Sequence, residues 1–169
     1  KTPVGKGENG VPFRQFPKKT GKLGLFLAKK LWYSENSGKA PFRAQEGGPA
    51  VNGQCIAVVS GKGGTGKTSL TAGVGEALAL MGYRTLCIDC DAGLRNLDLA
   101  LGLSDRALMD FTDVAAERCP LRDAAVPHPE IPRLFLLTAP ARLRPHSVPA
   151  EEMAALLRTV REEYDYCLL

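Results

Sequence analysis

CIAVVSGKGGTGKTSLTAGVGEALALM, residues 55–81, contains three patterns in succession. Cys55–Ser60 is a short apolar run with β-branched residues, which is typical of a buried parallel strand. A glycine-rich loop follows, and Thr68–Met81 then carries alanine and leucine at helical spacing up to Gly82, a residue type that commonly ends helices. The stretch therefore predicts a strand, a loop and a helix, the unit from which sheets covered by helices are built.

The glycine-rich loop matches the pattern G-x-x-x-x-G-K-[ST] over residues 61–68. Glycines allow successive backbone N–H groups to point at phosphate oxygens, and the start of the helix aims its positive dipole at the same anion. Lys67 is placed to neutralise the β- and γ-phosphates, and the Thr68 hydroxyl to bind Mg²⁺. The predicted ligands are ATP and Mg²⁺, and the predicted nucleotide-binding residues are Gly61, Lys62, Gly63, Gly64, Thr65, Gly66, Lys67, Thr68 and Ser69.

Basic residues are distributed unevenly along the chain. Residues 1–53 hold ten Lys or Arg against three Asp or Glu, whereas residues 54–169 hold twelve against fifteen. In the second range Lys62 and Lys67 are the only lysines, and both lie in the glycine-rich loop. Because a compact ammonium group fits between phosphates where a planar guanidinium does not, this composition supports a functional role for both lysines.

Residues 1–53 are predicted to be a basic, Gly- and Pro-rich, disordered N-terminal extension, with the ATPase domain beginning at residue 54. One apolar island, Leu23–Tyr33, would also suit a short basic amphipathic helix that touches an anionic membrane or nucleic acid. A third interpretation is that the extension is not native to the domain. No run of about 18 apolar residues occurs in the sequence, and no secretory signal is recognisable.

Strands and helices are predicted to alternate after residue 54. This pattern favours an α/β fold, a P-loop NTPase-like parallel sheet with helices on both faces in three α/β/α layers, here truncated at the C-terminus. Because the later strands of such a sheet are absent, the last strand is expected to be a bare edge. Beyond the first unit, the predicted strands are Arg84–Asp89, Arg133–Thr138 and Tyr166–Leu169, and the predicted helices are Asn96–Leu101, Ser104–Ala116 (with Ser104 as N-cap) and Pro149–Tyr164.

Two carboxylates follow the second predicted strand, which is expected to lie beside the strand that leads into the glycine-rich loop. Asp89 and Asp91 would then face the ligand crevice at the carboxyl ends of the strands. Asp91 is predicted to orient the attacking water, and Asp89 to act as a second-shell partner of the Mg²⁺ site. The alternative for each is a cap at the end of the strand.

Five cysteines are present, at positions 55, 87, 90, 119 and 167. Their odd number and apolar surroundings favour buried, reduced thiols in a cytosolic protein. Cys87 and Cys90 form a C-x-x-C pair, but zinc binding would need a second pair or nearby histidines. His128 and His146 lie far away in sequence, in Pro-rich loops. Metal binding by the thiols is therefore not expected.

The string KGGTGKT resembles the deviant Walker A motif of the MinD/ParA group of ATPases. DAGLRNLDLALGL, residues 91–103, is similar to the switch I segment of the MinD branch of that group, the septum site-determining proteins. The likeness runs from Ile56 to the last residue. It implies that Lys62 reaches the phosphates of a second subunit in an ATP-dependent homodimer, and it implies Lys62, Lys67 and Asp91 as the catalytic residues.

The same resemblance implies a cytoplasmic ATPase of bacterial division-site selection that associates peripherally with the membrane in its ATP state. The implied partners are a division inhibitor of MinC type, a topological regulator, and the membrane surface through a C-terminal amphipathic helix that this chain lacks. Nucleic acid is not an expected partner. The Walker B aspartate would directly follow Leu169, and Ala141–Val148 departs from the family pattern by lacking its acidic residue and its lysine.

Three other functions remain open at this point. A ParA-like ATPase that positions DNA or cargo would use the basic extension to hold DNA. A flagellar-number relative of MinD would share most of the switch segment, usually with Ala in place of Arg95. A metal-cluster carrier would use the C-x-x-C pair.

Overall fold

The computed structural model describes residues 53–92, 94–141 and 148–169. The predicted disordered extension and the amphipathic interpretation of Leu23–Tyr33 lie outside these residues, and so does most of the divergent segment after the third predicted strand. In chain order the elements are β1 (Gln54–Ile56), α1 (Lys67–Leu80), β2 (Thr85–Ile88), α2 (Asn96–Ala100), α3 (Phe111–Ala115), α4 (Leu121–Ala124), β3 (Val126–Pro127), β4 (Leu134–Leu137), α5 (Ala150–Glu163) and β5 (Tyr166–Leu168).

The strands form one sheet of five in the order β1-β5-β2-β4-β3. β5 pairs in parallel with both of its neighbours, so that Cys167 lies opposite Cys55 on one side and Leu86 on the other. β2 and β4 are also parallel, whereas the two-residue β3 joins the far edge antiparallel to β4. The sheet is therefore mostly parallel, with one short antiparallel edge strand.

The position of β5 corrects two predictions. β2 does not lie beside β1, because β5 lies between them, and Asp89 therefore follows a strand two places away from the strand of the glycine-rich loop. The last strand is also not a bare edge, since β5 pairs with β1 on one side and with β2 on the other. A parallel strand can return to any position in the sheet through its crossover helix, so the order of strands along the chain does not fix their order in space.

Side chains of β2 alternate between two apolar cores. Leu86 and Ile88 pack with residues of α3, α4 and α5, whereas Cys87 packs on the opposite face with residues of α1 and α2. This alternation follows from the two-residue period of a strand. Helices thus cover both faces of the sheet, which confirms the predicted three-layer α/β/α fold.

The helix after the glycine-rich loop was predicted to within a residue at each end. Met81 is its C-cap, and Gly82 has a φ of +103°. The prediction for Ser104–Ala116 was wrong in its first half, because the helix begins only at Phe111, with Asp110 as N-cap. The Asp110 carboxylate accepts a hydrogen bond from the Asp113 amide at 3.3 Å, and the Asp110 amide donates to the Asp113 carboxylate at 3.0 Å. This capping box sets the helix start that Ser104 was expected to provide.

Candidate nucleotide-binding site

The glycine-rich loop holds its shape through glycine conformations and a few short-range hydrogen bonds. The Lys62 amide donates to the Ser60 hydroxyl at 3.3 Å, and the Thr65 hydroxyl donates to the Lys62 carbonyl at 3.3 Å. Gly64 and Gly66 have φ values of +73° and +85°, which residues with a Cβ rarely adopt. No atom lies within 4 Å of a Cβ built on either glycine, so backbone conformation and not crowding requires them.

The start of α1 adds backbone N–H donors directly after the glycine-rich loop. Gly66 is its N-cap, without a capping side chain, and the first turn of this helix contains no acidic residue. The first N–H groups of a helix have no partner within the helix, so an N-terminus of this kind suits an anion. Lys67 and Thr68 are half-buried at this point, whereas Ser69 and the loop before them are exposed. The predicted phosphate-binding residues thus form one continuous loop and helix start.

The loop after β2 is organised by a buried carboxylate. Asp89 is 6% exposed, and one of its oxygens accepts from the Asp91 amide at 2.9 Å. The other oxygen accepts from the buried Leu97 amide at 3.0 Å, in the first turn of α2. The carboxylate therefore ties the end of β2 to the start of α2, which is the capping role that sequence reasoning weighed against a part in the Mg²⁺ site.

Asp91 lies two residues further along the same loop and, unlike Asp89, is exposed. Neighbouring strands of a sheet lie about 4.8 Å apart, so the carboxyl ends of β1 and β2, with β5 between them, are separated by roughly 10 Å. The glycine-rich loop and Asp91 therefore follow two strands that lie on either side of β5.

The segment that follows Asp91 contains contacts that sequence reasoning missed. Arg95 has a φ of +46°, and its guanidinium pairs with Asp98 at 3.2 Å. Asp98 is 7% exposed and also accepts from the Leu99 amide at 2.6 Å. The i, i+3 spacing of Arg95 and Asp98 could have suggested this pair. The pair holds a non-glycine residue in a left-handed conformation next to the exposed Asp91.

His128 is a second residue whose role sequence reasoning missed. Its Nδ1 accepts from the amides of Glu130 and Ile131 at 3.1 and 3.0 Å, and its Nε2 lies 3.1 Å from the Leu101 carbonyl. Because Nδ1 is an acceptor, Nε2 is the nitrogen that carries the proton and donates to Leu101. The histidine therefore connects the turn before β4 to the residue that ends α2. Nothing in its sequence neighbourhood indicated this contact.

The cysteines correct the expectation that the thiols are buried. Cys87 and Cys167 are buried, but Cys55 and Cys90 are exposed and Cys119 is intermediate. Burial, with Glu76 nearby, raises the pKa of the Cys87 thiol to about 12. Within the described ranges, no group of three or more His, Cys, Asp or Glu side chains is arranged to hold a metal ion. The described helices also include none that is long and apolar enough to cross a membrane.

A strand that leads through a glycine-rich loop into an uncapped helix, on a mostly parallel sheet, defines the class of P-loop nucleotide-binding domains. Within that class the chain belongs to the CobQ/CobB/MinD/ParA nucleotide binding domain family, which matches residues 56–165. The glycine-rich loop and the start of α1 both lie inside the matched range.

Proteins named septum site-determining protein MinD or cell division protein MinD are similar to this chain. A putative septum site-determining protein MinD of Guillardia theta is 44% identical over 114 residues, which are 68% of this chain and 42% of that protein. The MinC:MinD cell division protein complex of Aquifex aeolicus contains a chain that is 39% identical, with a TM-score of 0.61, over 68% of this chain and 46% of that one. The chain thus spans less than half the length of each of these two relatives.

A further solved structure shows a ligand in the family. Septum site-determining protein MinD of Pyrococcus horikoshii, complexed with Mg-ADP, is 31% identical with a TM-score of 0.53, over 68% of this chain and 47% of that one. Members of the family thus include a protein that binds a nucleotide together with Mg²⁺.

Proposed function

We propose that this chain binds ATP with Mg²⁺ and supplies the phosphate-binding and water-orienting parts of a MinD-like ATPase. The observation that carries the proposal is the glycine-rich loop, whose exposed backbone leads into a helix start with no capping side chain. An unfilled set of N–H donors beside Lys67 and Thr68 suits a polyphosphate. The similarity to a Mg-ADP complex supports the same ligands.

Each residue of the loop has a proposed part in binding. The amides of Gly61, of Gly63 to Gly66 and of the start of α1 donate to phosphate oxygens. Lys62 and Lys67 neutralise the phosphates, and Ser69 extends the donor set. Mg²⁺, when bound, would lower the charge on the β- and γ-phosphates, with the Thr68 hydroxyl as its protein ligand. Asp89 already accepts two backbone amides, so its part in the metal site would be indirect, through a bound water.

Asp91 is proposed to orient the water that attacks the γ-phosphate. Because Asp91 is exposed in an anchored loop, its carboxylate can accept a hydrogen bond from that water. The buried Asp89 acts on Asp91 through the backbone, since it holds the Asp91 amide. The loop thus separates two carboxylate roles, one structural and one chemical.

The wider proposal is a nucleotide-switched homodimer in bacterial division-site selection. Lys62 would reach the phosphates of the second subunit, and a division inhibitor of MinC type would bind the dimer. The similarity to a chain of the Aquifex aeolicus MinC:MinD complex supports a partner of this type. A topological regulator and attachment to the membrane through a C-terminal helix outside this chain belong to the same proposal. The protein would be cytoplasmic and would meet the membrane only in its ATP state.

Lys62 provides the decisive experiment. In the full-length protein, Lys62→Ala should still bind a fluorescent ATP analogue but lose the increase in mass that ATP and Mg²⁺ cause in light scattering. Arg158→Ala, which removes an exposed charge on α5, is the matched control and should behave like the unaltered protein. If the Lys62→Ala protein still dimerises with ATP, Lys62 does not act on the phosphates of the second subunit. If the unaltered protein does not bind the analogue, the proposed function is wrong.

The main competitor is a ParA-like ATPase that binds DNA. The basic composition of residues 1–53 is the observation that favours it. Retention of the full-length protein on DNA that weakens steeply with added salt would support this alternative. Binding to anionic vesicles but not to DNA would support the division-site proposal instead.

A further inference from the structure

Arg95 and Asp98 form an ion pair at the point where the loop after β2 becomes α2. The Arg95 guanidinium lies 3.2 Å from an Asp98 carboxylate oxygen, and the two side chains are only 24% and 10% exposed. Among the described residues, the buried Nε atom of Arg95 has no hydrogen-bond partner, and Asp98 is the only carboxylate paired with this guanidinium. A pair that is largely removed from solvent is screened less than a surface pair, so the loss of either partner should have a clear effect.

The ion pair closes a turn whose backbone hydrogen bonds are long. The Asp91 carbonyl accepts from the amides of Leu94 and Arg95, each at 3.4 Å, beyond the usual range of about 2.7–3.2 Å. Arg95 also has a φ of +46°, a left-handed conformation that is unfavourable for residues with a Cβ. Since neither the backbone bonds nor the preference of Arg95 holds this turn firmly, the contact with Asp98 is the one that stabilises it.

Asp98 is a well-held partner because it lies in the first turn of α2. It is 7% exposed, its carboxylate accepts from the Leu99 amide at 2.6 Å, and its carbonyl accepts from the Leu103 amide at 2.7 Å. Leu97, directly before it, is buried in a core that includes residues of α1. The guanidinium is therefore tied to a packed helix.

We propose that Arg95 is a positioning residue for Asp91, because its ion pair with Asp98 fixes the turn that presents the Asp91 carboxylate to the attacking water. The inference rests on the proposed ATPase function, since it uses the same role for Asp91. Asp89 holds the Asp91 amide, and the Arg95–Asp98 pair holds the far end of the turn. The backbone of Asp91 is thus fixed on both sides, while Arg95 itself touches neither nucleotide nor water.

Arg95→Gly separates the ion pair from the backbone conformation. Glycine adopts positive φ freely, so the turn stays accessible, but the contact with Asp98 is lost. In the full-length protein kcat should fall by roughly tenfold, because misplacing a reacting group by about 1 Å can cost as much as about 100-fold. Affinity for a fluorescent ATP analogue should stay close to that of the unaltered protein, since the glycine-rich loop is untouched. A residue that only stabilised the fold would not divide kcat from affinity in this way.

Two further substitutions test whether the charges are responsible. Arg95→Lys keeps a cation that can reach Asp98, and the contact joins a single pair of atoms, so most of the turnover should be retained. Asp98→Asn removes the anion but leaves an oxygen that can accept from the Leu99 amide, and it should slow turnover about as much as Arg95→Gly. The double variant of Arg95→Gly and Asp98→Asn should be no slower than the slower single variant, because both changes remove the same contact.

Arg118→Ala is the matched control. The Nε and Nη atoms of Arg118 donate to the Asp113 carboxylate in α3 at 2.9 and 2.8 Å, so the change removes an ion pair of the same kind from a helix that does not hold Asp91. Both kcat and affinity for ATP should match those of the unaltered protein.

Hydrogen–deuterium exchange gives a readout that does not require hydrolysis. Peptides that span residues 89–98 should exchange faster in Arg95→Gly than in the unaltered full-length protein, and Arg118→Ala should leave them unchanged. If the unaltered protein hydrolyses no ATP, the proposed function fails together with the catalytic part of this inference, whereas the exchange result still shows whether the pair holds the turn.

Three results would overturn the proposal in a protein that does hydrolyse ATP. The first is an Arg95→Gly protein with unchanged kcat and unchanged exchange of residues 89–98. The second is an Arg95→Lys protein as slow as Arg95→Gly, since the charge would then not be the cause. The third is a double variant in which the two losses of kcat multiply, because Arg95 and Asp98 would then act independently.

Discussion

The two loops that leave the sheet after β1 and β2 are built in opposite ways. The loop after β1 is exposed over residues 61–66, and its shape depends on positive φ values at Gly64 and Gly66. The loop after β2 is anchored by the buried Asp89 carboxylate, which accepts two backbone amides. In the first loop, backbone N–H groups are available to a ligand. In the second loop, the Asp89 carboxylate accepts hydrogen bonds from the loop's own backbone, and the Asp91 carboxylate is exposed to solvent. Four substitutions test this difference.

The largest effect is expected from Lys67→Ala in the first loop. Because the phosphates would lose a charged partner at the start of α1, affinity for ATP should fall by about 1,000-fold, or roughly 4 kcal/mol. Titration of the full-length protein with a fluorescent ATP analogue measures the loss. The unfolding midpoint should change little, since the side chain is half-buried beside an open loop. Unchanged affinity would contradict the assignment of the first loop to phosphate binding.

Asp91→Asn should have the next largest effect, on the chemical step. A carboxylate that orients water acts mainly on hydrolysis, so phosphate release should slow by about 100-fold, or roughly 3 kcal/mol of barrier. Affinity for ATP should survive, and the proposed ATP-bound dimer should persist longer. If Asp91 were instead a cap, turnover would stay within a few-fold of the unaltered protein, while thermal stability fell by about 1 kcal/mol.

Asp89→Ala tests whether the second loop depends on its buried anchor. The substitution leaves the amides of Asp91 and Leu97 without their acceptor, so the free energy of unfolding should fall by about 2 kcal/mol. Asp89→Asn keeps one amide oxygen as an acceptor and should lose about half as much. Urea denaturation of the full-length protein compares the two. Equal stability of the alanine variant and the unaltered protein would show that the anchor is not needed.

Gly75→Ala tests the packing of α1 on β2. The first loop leads into this helix, and the second loop follows this strand. A Cβ at Gly75 would lie 2.4 Å from the Cys87 sulfur, so the helix must shift, at a cost of about 1.5 kcal/mol. The double variant with Cys87→Ala removes the obstructing atom and should recover part of the loss. Thermal unfolding of the single and double variants measures this coupling. A single variant as stable as the unaltered protein would mean that α1 packs less closely than the structure shows.

Local chemistry made the first loop predictable from sequence. A phosphate loop needs glycine at fixed offsets and a helix directly after it, and both requirements are visible within residues 61–81. The end of that helix was equally visible, because Gly82 provides the positive φ that closes it. The site residues proposed there were all contiguous in the chain.

Contacts between distant residues could not be predicted in the same way. The pairing of Asp89 with the Leu97 amide depends on how the loop folds back, and the contact of His128 with the Leu101 carbonyl joins residues 27 positions apart. The strand β3 and the helix α4 were not predicted, since elements of two and four residues carry no readable periodicity. The start of α3 was misplaced because Ser104 and Asp110 are both acceptable N-caps by residue type.

The sequence by itself determined the glycine-rich loop, the helix after it, the alternation of strands and helices, and the family to which the chain belongs. Only the tertiary structure decided that β5 lies between β1 and β2, and that Cys55 stands opposite Cys167. The physical reason is the range of the interactions. Glycine conformations, caps and helical periodicity act within a few residues, whereas strand order is set by backbone pairing between segments more than a hundred residues apart, such as Gln54 with Tyr166.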